Sequence, residues 1–293
     1  MYRALADAIR DATAAGTTLS AVALAAEAKD QARPVEEIRD ALRRALEVMR
    51  QAVTRGEEGD LRSRSGLVGG DAAKLRTSGA DALVGAPFRT VLSRALAVQE
   101  VNAAMGVIVA APTAGGAGVL PAVLTGLADA RRIPDEKVID ALATAGLIGA
   151  VIAERASLSG AEGGCQAETG AAAAMAAGAA TEMLGGTPVQ AGHAISLAMQ
   201  GTLGLVCDPL GGLVELPCVF RNATGSAIAL AGIEMALAGI TFAIPVDEVI
   251  DTMGEIGRTM DVRYRETAGG GLAATPTGRR LARERLVQIR RDG

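Results

Sequence analysis

Two stretches, GGCQAETGAAAAMAAG at residues 163–178 and LVCDPLGGLVELPCVFRN at residues 205–222, hold all three cysteines of the chain: Cys165, Cys207 and Cys218, spaced C-x41-C-x10-C. Each thiol stands beside a residue that stops regular structure: Gly164 precedes Cys165, Pro209 follows Cys207 by two positions, and Pro217 precedes Cys218. Glycine and proline break helices and strands, so all three thiols are expected at element ends or turns, where side chains can point at one centre. Cys165 is expected to open an alanine-rich helix reaching Leu184, with Cys207 and Cys218 in loops. Zinc and ferredoxin sites use short C-x2-C pairs, and this chain has none. On spacing alone, three small buried hydrophobes account for the cysteines as well as a ligand set does.

Working outward, composition agrees with a helical body. Of the 293 residues, 49% are hydrophobic but only 2% aromatic, with no Trp, so Ala and Gly carry the packing. Small side chains let helices approach closely. No strand-like alternation persists, no 20–50-residue repeat occurs and no linker divides the chain. The expectation is all-α: one compact domain over residues 1–293, with N-terminal helices in 1–55 as a partner-facing layer and the site-bearing body in 56–293. A net charge of −4 without a basic block excludes the usual nucleic-acid binders. MYRALADAIRDA does not read as a signal peptide. The apolar segments 135–156 and 223–243 approach membrane-spanning length, but Glu154 and Glu234 interrupt them, so no membrane span is expected. An odd number of cysteines argues against a disulfide framework, and the reducing cytoplasm is the expected compartment.

Along the chain, residues 1–30 read as two short helices around Gly16-Thr17-Thr18, and Pro34 opens an amphipathic helix ending at Gly56. Residues 56–86 read as a long Gly- and Ser-rich loop, a length that is often functional. Pro87 opens a helix to about Met105. Then Pro112-Thr113-Ala114-Gly115-Gly116-Ala117-Gly118 forms a glycine turn ahead of a helix, a setting that offers backbone N–H groups to an anion. Pro121, Pro134, Pro188 and Pro245 are expected in first turns of further helices. From Gly278 a basic tail reads as a terminal helix.

The two cysteine stretches resemble the cluster-binding segments of the iron–sulfur L-serine dehydratases, alpha chain. Three further blocks agree, in the family's order: SRSGLVGGDAAKL (63–75), VNAAMGVIVAAPTAGGAGVLPAVL (101–124) and YRETAGGGLAATPTG (264–278). The resemblance spans essentially the whole chain. It implies that Cys165, Cys207 and Cys218 bind a [4Fe–4S] cluster, and that the enzyme deaminates L-serine to pyruvate and ammonia. With three thiolates, one iron keeps an open coordination position of Lewis-acid character. The family also has a beta chain or domain carrying a histidine motif, which nothing here matches, so the expected assembly is a hetero-oligomer with a separate beta chain.

Among the matched positions, Ser65, Gly66, Thr113, Gly115, Gly116 and Asn222 are expected to bind substrate, with Ser65 and Thr113 as candidate catalytic hydroxyls. Glu168, Asp208, Arg221 and Asn222 flank the cysteines and are expected to tune and orient the site. The only histidine, His193, lies outside every block. Three rivals stand beside this reading. One is a related cluster-dependent L-cysteine desulfidase. Another is a pyridoxal-phosphate dehydratase using Lys29, Lys74 or Lys137. The last is a non-catalytic module with structural zinc on the three cysteines and His193.

Overall fold

The structure of the protein, a computed structural model, describes residues 2–78 and 83–292, and side chains up to residue 285. Residues 79–82 of the expected long loop, and the side chains that would make the tail amphipathic beyond 285, lie outside the described residues. Thirteen α-helices are present among them: α1 (Leu5–Ala14), α2 (Leu19–Gln31), α3 (Val35–Glu57), α4 (Asp71–Thr77), α5 (Ala86–Ala103), α6 (Val119–Arg131), α7 (Asp135–Arg155), α8 (Gly160–Gly163), α9 (Ala171–Met183), α10 (Pro188–Met199), α11 (Cys218–Leu237), α12 (Val246–Thr259) and α13 (Pro276–Asp292). The chain is all-α. Its one β-type pairing among the described residues is an isolated parallel bridge between Cys207 and Arg265. No helix among them is long and apolar enough to cross a membrane.

Alanine-rich α9 is the axis of the body. All its residues from Ala171 to Thr181 are buried, and α6, α7, α10 and α11 pack around it. Only very small side chains permit four helices this close. A Cβ at Gly178 would lie 2.6 Å from Ile148 Cδ1 and 2.8 Å from Ile195 Cγ1, inside van der Waals contact. The scarcity of aromatics thus follows from the packing: the core is filled by backbone proximity rather than by large side chains.

Residues 2–55 wrap this body. The Asp247 carboxylate of α12 caps α1, accepting from the Leu5 N–H at 2.9 Å and the Ala6 N–H at 3.0 Å, and so satisfies two orphan donors of the helix start. On α3, Arg39 pairs with Asp140 and Glu136, and Arg50 with Asp129. The polar side of α3 is therefore engaged by α6 and α7, while Ile38, Leu46, Met49 and Val53 are buried.

Several expectations need correction. The long loop 56–86 contains a helix, α4. Its start is fixed by Glu100, whose Oε1 accepts from the Asp71 and Ala72 N–H groups, a long-range cap that local sequence does not reveal. Cys218 is not in a loop but is the first residue of α11, directly after Pro217. Pro134 and Pro245 sit just before their helices rather than inside the first turn, as does Pro34 ahead of α3, whereas Pro121, the third residue of α6, is in the first turn as expected. Pro188 is at the expected first position, with Thr187 completing a capping box with Gln190.

Candidate active site

Cys165 does stand at the head of the alanine-rich helix, but through a π-helical turn, Gln166–Gly170, that merges into α9. π-turns insert an extra residue into a helix and recur at functional sites. Here the turn aims both the Cys165 thiol and the Glu168 carboxylate at the same centre. Cys207 comes from the loop after α10. Its backbone N–H donates to Tyr264 O at 2.8 Å, and its carbonyl accepts from the Glu266 N–H at 2.8 Å. Cys218 arrives at the N-terminus of α11. All three cysteines are free and buried. Their charges are felt mutually: the other two thiols push Cys207 upward, and Cys165 pushes Cys218 upward.

Glu168 is the hub between the thiols and the glycine turn. Its Oε1 accepts from the Thr113 hydroxyl at 2.7 Å, and the Cys207 thiol lies 3.8 Å from its Oε2. Two glycines make room for the carboxylate. A Cβ at Gly115 would be 2.7 Å from Oε1, and one at Gly160 would be 2.7 Å from Oε2 and 3.1 Å from Cys207 Sγ. Burial holds the Glu168 pKa above the usual carboxylate range, with the nearby Glu266 adding to the effect. Burial likewise raises Cys165, and it pushes Cys218 up to about 12. The cation acting most on Cys165 and Cys218 is Arg221 of α11. Burial opposes its charge, but Cys165, Asp208 and Cys218 outweigh that and raise its pKa. Arg221 Nη2 meets Asp208 Oδ1 at 2.7 Å and Nη1 donates to Val206 O at 2.8 Å, which clamps the Cys207 loop to α11. Asp208 Oδ2 accepts from the Leu272 N–H at 2.6 Å and so fixes the C-terminal segment as well.

The glycine turn and the serine loop are both docked here by buried side chains. Asn222 is 0% exposed and both ends of its amide are engaged: Oδ1 accepts from the Gly118 N–H at 2.9 Å, and Nδ2 donates to Gly115 O at 2.7 Å and Cys218 O at 2.9 Å. It joins the turn to the Cys218 end of α11, and its position is that of a brace between the two. Glu215, just before Cys218, collects the serine loop. It accepts from the Ser63 hydroxyl at 2.6 Å, from the Ser65 N–H at 3.1 Å and from the Ser65 hydroxyl, and all three residues are buried. Gly66, with φ +71, makes the turn that returns the chain toward Val68. The structure therefore brings Ser65, Thr113, Gly115 and Gly116 to the cysteine region by way of Glu215, Glu168 and Asn222. Sequence reasoning missed Glu215 entirely. The available signal was one acidic residue inside the apolar run GGLVELPC.

A glycine exchange separates this packing from ordinary helix packing. Gly160→Ala places a methyl between the Glu168 carboxylate and the Cys207 thiol, whereas Gly146→Ala in α7 meets nothing within 4 Å. Urea unfolding is expected to show Gly160→Ala destabilising by about 1–3 kcal/mol. Gly146→Ala is expected to be neutral or stabilising by about 0.5–1 kcal/mol. Equal effects at both positions would contradict the packing described.

His193 lies elsewhere. Its Nδ1 accepts from the Phe242 N–H at 3.3 Å, in a groove between α10 and α1. Lys29, Lys74 and Lys137 are all exposed. Among the described residues no group of three or more His, Cys, Asp and Glu side chains is placed to hold a single metal ion. The zinc module built on His193 therefore finds no support in this geometry. A multi-iron cube is a different demand, because its thiolates bind separate corners rather than one shared ion.

Comparison with known proteins places the chain in a family. The family model described as "Serine dehydratase alpha chain" matches residues 14–273. The chain is 49% identical over 268 residues to "Probable L-serine dehydratase, alpha chain" of Bacillus subtilis, covering 91% of this chain and 89% of that one. It is 40% identical over 275 residues to "L-serine dehydratase, alpha chain" of Peptoniphilus asaccharolyticus, covering 93% and 94%. "L-serine dehydratase" of Streptomyces coelicolor is 42% identical over 269 residues, which make up 88% of this chain but 58% of the relative. Every segment that meets at the thiols lies within the matched span, and the chain belongs to the serine dehydratase alpha-chain family.

Proposed function

We propose that this chain is the single-domain alpha subunit of an iron–sulfur L-serine dehydratase, converting L-serine to pyruvate and ammonia in a reducing cytoplasm. The observation that carries the reading is the convergence of three free, buried thiols with Glu168 and Arg221 at one centre. Cys165, Cys207 and Cys218 would hold one [4Fe–4S] cluster. The donor set fits that group: three soft sulfur ligands and no fourth cysteine in the chain. Burial and mutual repulsion keep the bare thiols protonated, so iron must displace those protons on binding. When bound, the cluster supplies an iron without a protein thiolate, a Lewis acid that makes the serine hydroxyl a better leaving group.

The remaining residues have separable tasks. Arg221 offsets negative charge gathered at the sulfurs and holds the Cys207 loop in place. Thr113, oriented by Glu168, presents a hydroxyl oxygen beside the thiols. Gly115 and Gly116 leave the backbone of the turn open to close approach by a substrate carboxylate. Ser65 donates its own proton to Glu215 and accepts from the Leu67 N–H at 3.2 Å, which leaves its oxygen one lone pair to offer the substrate ammonium.

The beta chain is the proposed partner, consistent with relatives that are named as alpha chains and with a longer relative of which this chain matches 58%. We place its docking face around the site rather than on residues 1–55. Met105, Val107, Phe220, Val262 and Leu272 are large, apolar and exposed, and each lies on a segment leading to Thr113, Cys218 or Cys207. On α3, by contrast, the polar side is already engaged by α6 and α7. The test is pyruvate formation by the anaerobically reconstituted chain, alone and with the beta chain added, on L-serine and on L-cysteine. Low turnover alone and restored serine turnover with the beta chain are expected. Full serine turnover by the isolated chain that is lost in His193→Ala contradicts the division of labour, and preference for L-cysteine contradicts the substrate.

A further inference from the structure

Behind the segment that pairs with Cys207 lies a cavity of about 420 Å³ between α8, the π-turn and α12. Its wall carries two arginines, Arg258 from the last turn of α12 and Arg265 from the bridge with Cys207. Among the described residues neither guanidinium has an acidic partner, and Arg265 Nε is buried without a hydrogen-bond acceptor. Other arginines near acidic groups on this molecule are paired, including Arg155 with Asp251 and Arg221 with Asp208. The one carboxylate lining this cavity, Glu162, accepts instead from the Ser157 hydroxyl at 2.6 Å.

The floor leaves room for Arg258 and for close packing of α12 on α8. Gly254 and Gly257 face the cavity from α12. A Cβ at Gly254 would lie 3.2 Å from Arg258 Nη1, and one at Gly257 would lie 2.8 Å from Gly163 Cα. The missing side chains let α12 sit close to α8 and let Arg258 fold back along its own helix. Two like charges in a partly enclosed cavity repel unless something negative lies between them. The guanidinium fork matches planar or tetrahedral oxyanions, which it binds through paired hydrogen bonds. Arg221 is the cation that acts most on Cys165 and Cys218.

We propose that this cavity is a binding site for a small dianionic oxyanion, a phosphate group or a short dicarboxylate, held by Arg258 and Arg265 together. Occupied, it ties the C-terminal turn of α12 to the segment that pairs with Cys207. The site is distinct from the thiol centre and needs no cluster to form.

Isothermal titration of the full chain with inorganic phosphate and with succinate, each against sodium chloride at matched ionic strength, tests it. Saturable binding of at least one is expected, and which one binds tells the two chemistries apart. Arg265→Gln should weaken that binding at least tenfold. Arg258 is exposed, so Arg258→Gln should fold normally and still weaken it at least tenfold. No binding of either anion beyond the chloride control overturns the proposal. So does binding in Arg258→Gln equal to that of the original chain.

Discussion

Glu215→Ala is expected to lower the stability of the chain by about 3 kcal/mol and serine turnover at least a hundredfold. The carboxylate is buried and receives the Ser63 hydroxyl, the Ser65 hydroxyl and the Ser65 N–H. Hydrogen bonds to a charged acceptor contribute about 1.5–3 kcal/mol each, and buried donors left without an acceptor lose that and their solvation as well. The three are not additive, because the loop can relax toward water once released. Function should suffer more than stability. Released, Ser65 no longer keeps its place beside the start of α11 that carries Cys218, and a misplacement of about 1 Å can reduce a rate a hundredfold. Glu215→Gln keeps the shape and one acceptor oxygen, so an intermediate loss in both measures is expected. Urea unfolding and pyruvate formation check this. Turnover of Glu215→Ala within twofold of the original chain would mean that the serine loop is not part of the site.

How much of this was readable in the chain follows from the range of the forces involved. Helix content was legible because proline, glycine and apolar periodicity act locally: the expected helices after Pro34 and Pro188 and the buried segment near 135–156 are α3, α10 and α7. Helix α4 was not, because its start depends on Glu100, twenty-eight and more residues further on. The family was legible through ordered blocks of resemblance around the cysteines, not through their spacing. What no local pattern conveys is the wiring between blocks. Thr113 meets Glu168 across fifty-five positions and Ser65 meets Glu215 across one hundred and fifty. Asn222 illustrates the same limit from the other side. Its place in a matched block suggested a substrate contact, yet its three hydrogen bonds all go to backbone. The π-turn at Gln166–Gly170 is similarly invisible in an alanine-rich run, where nothing marks the extra residue.

The ligand assignment predicts the largest single loss of all. Each thiol comes from a different element: Cys165 from the π-turn, Cys207 from the bridged loop, Cys218 from the start of α11. None can replace another without moving an element, so the three should be equally indispensable. A serine hydroxyl is a harder, less acidic donor than a thiol and a poor substitute at iron. The fold itself should tolerate the exchange, since Cys→Ser is nearly isosteric and the body is built around α9.

The most direct measurement is therefore iron and acid-labile sulfide content, with the visible absorption spectrum, of the chain and of Cys165→Ser, Cys207→Ser and Cys218→Ser after anaerobic reconstitution. About four irons and four sulfides per original chain are expected, with brown absorbance lost in all three variants while circular dichroism stays helical. A variant that retains the full cluster and full serine turnover with the beta chain would contradict the account.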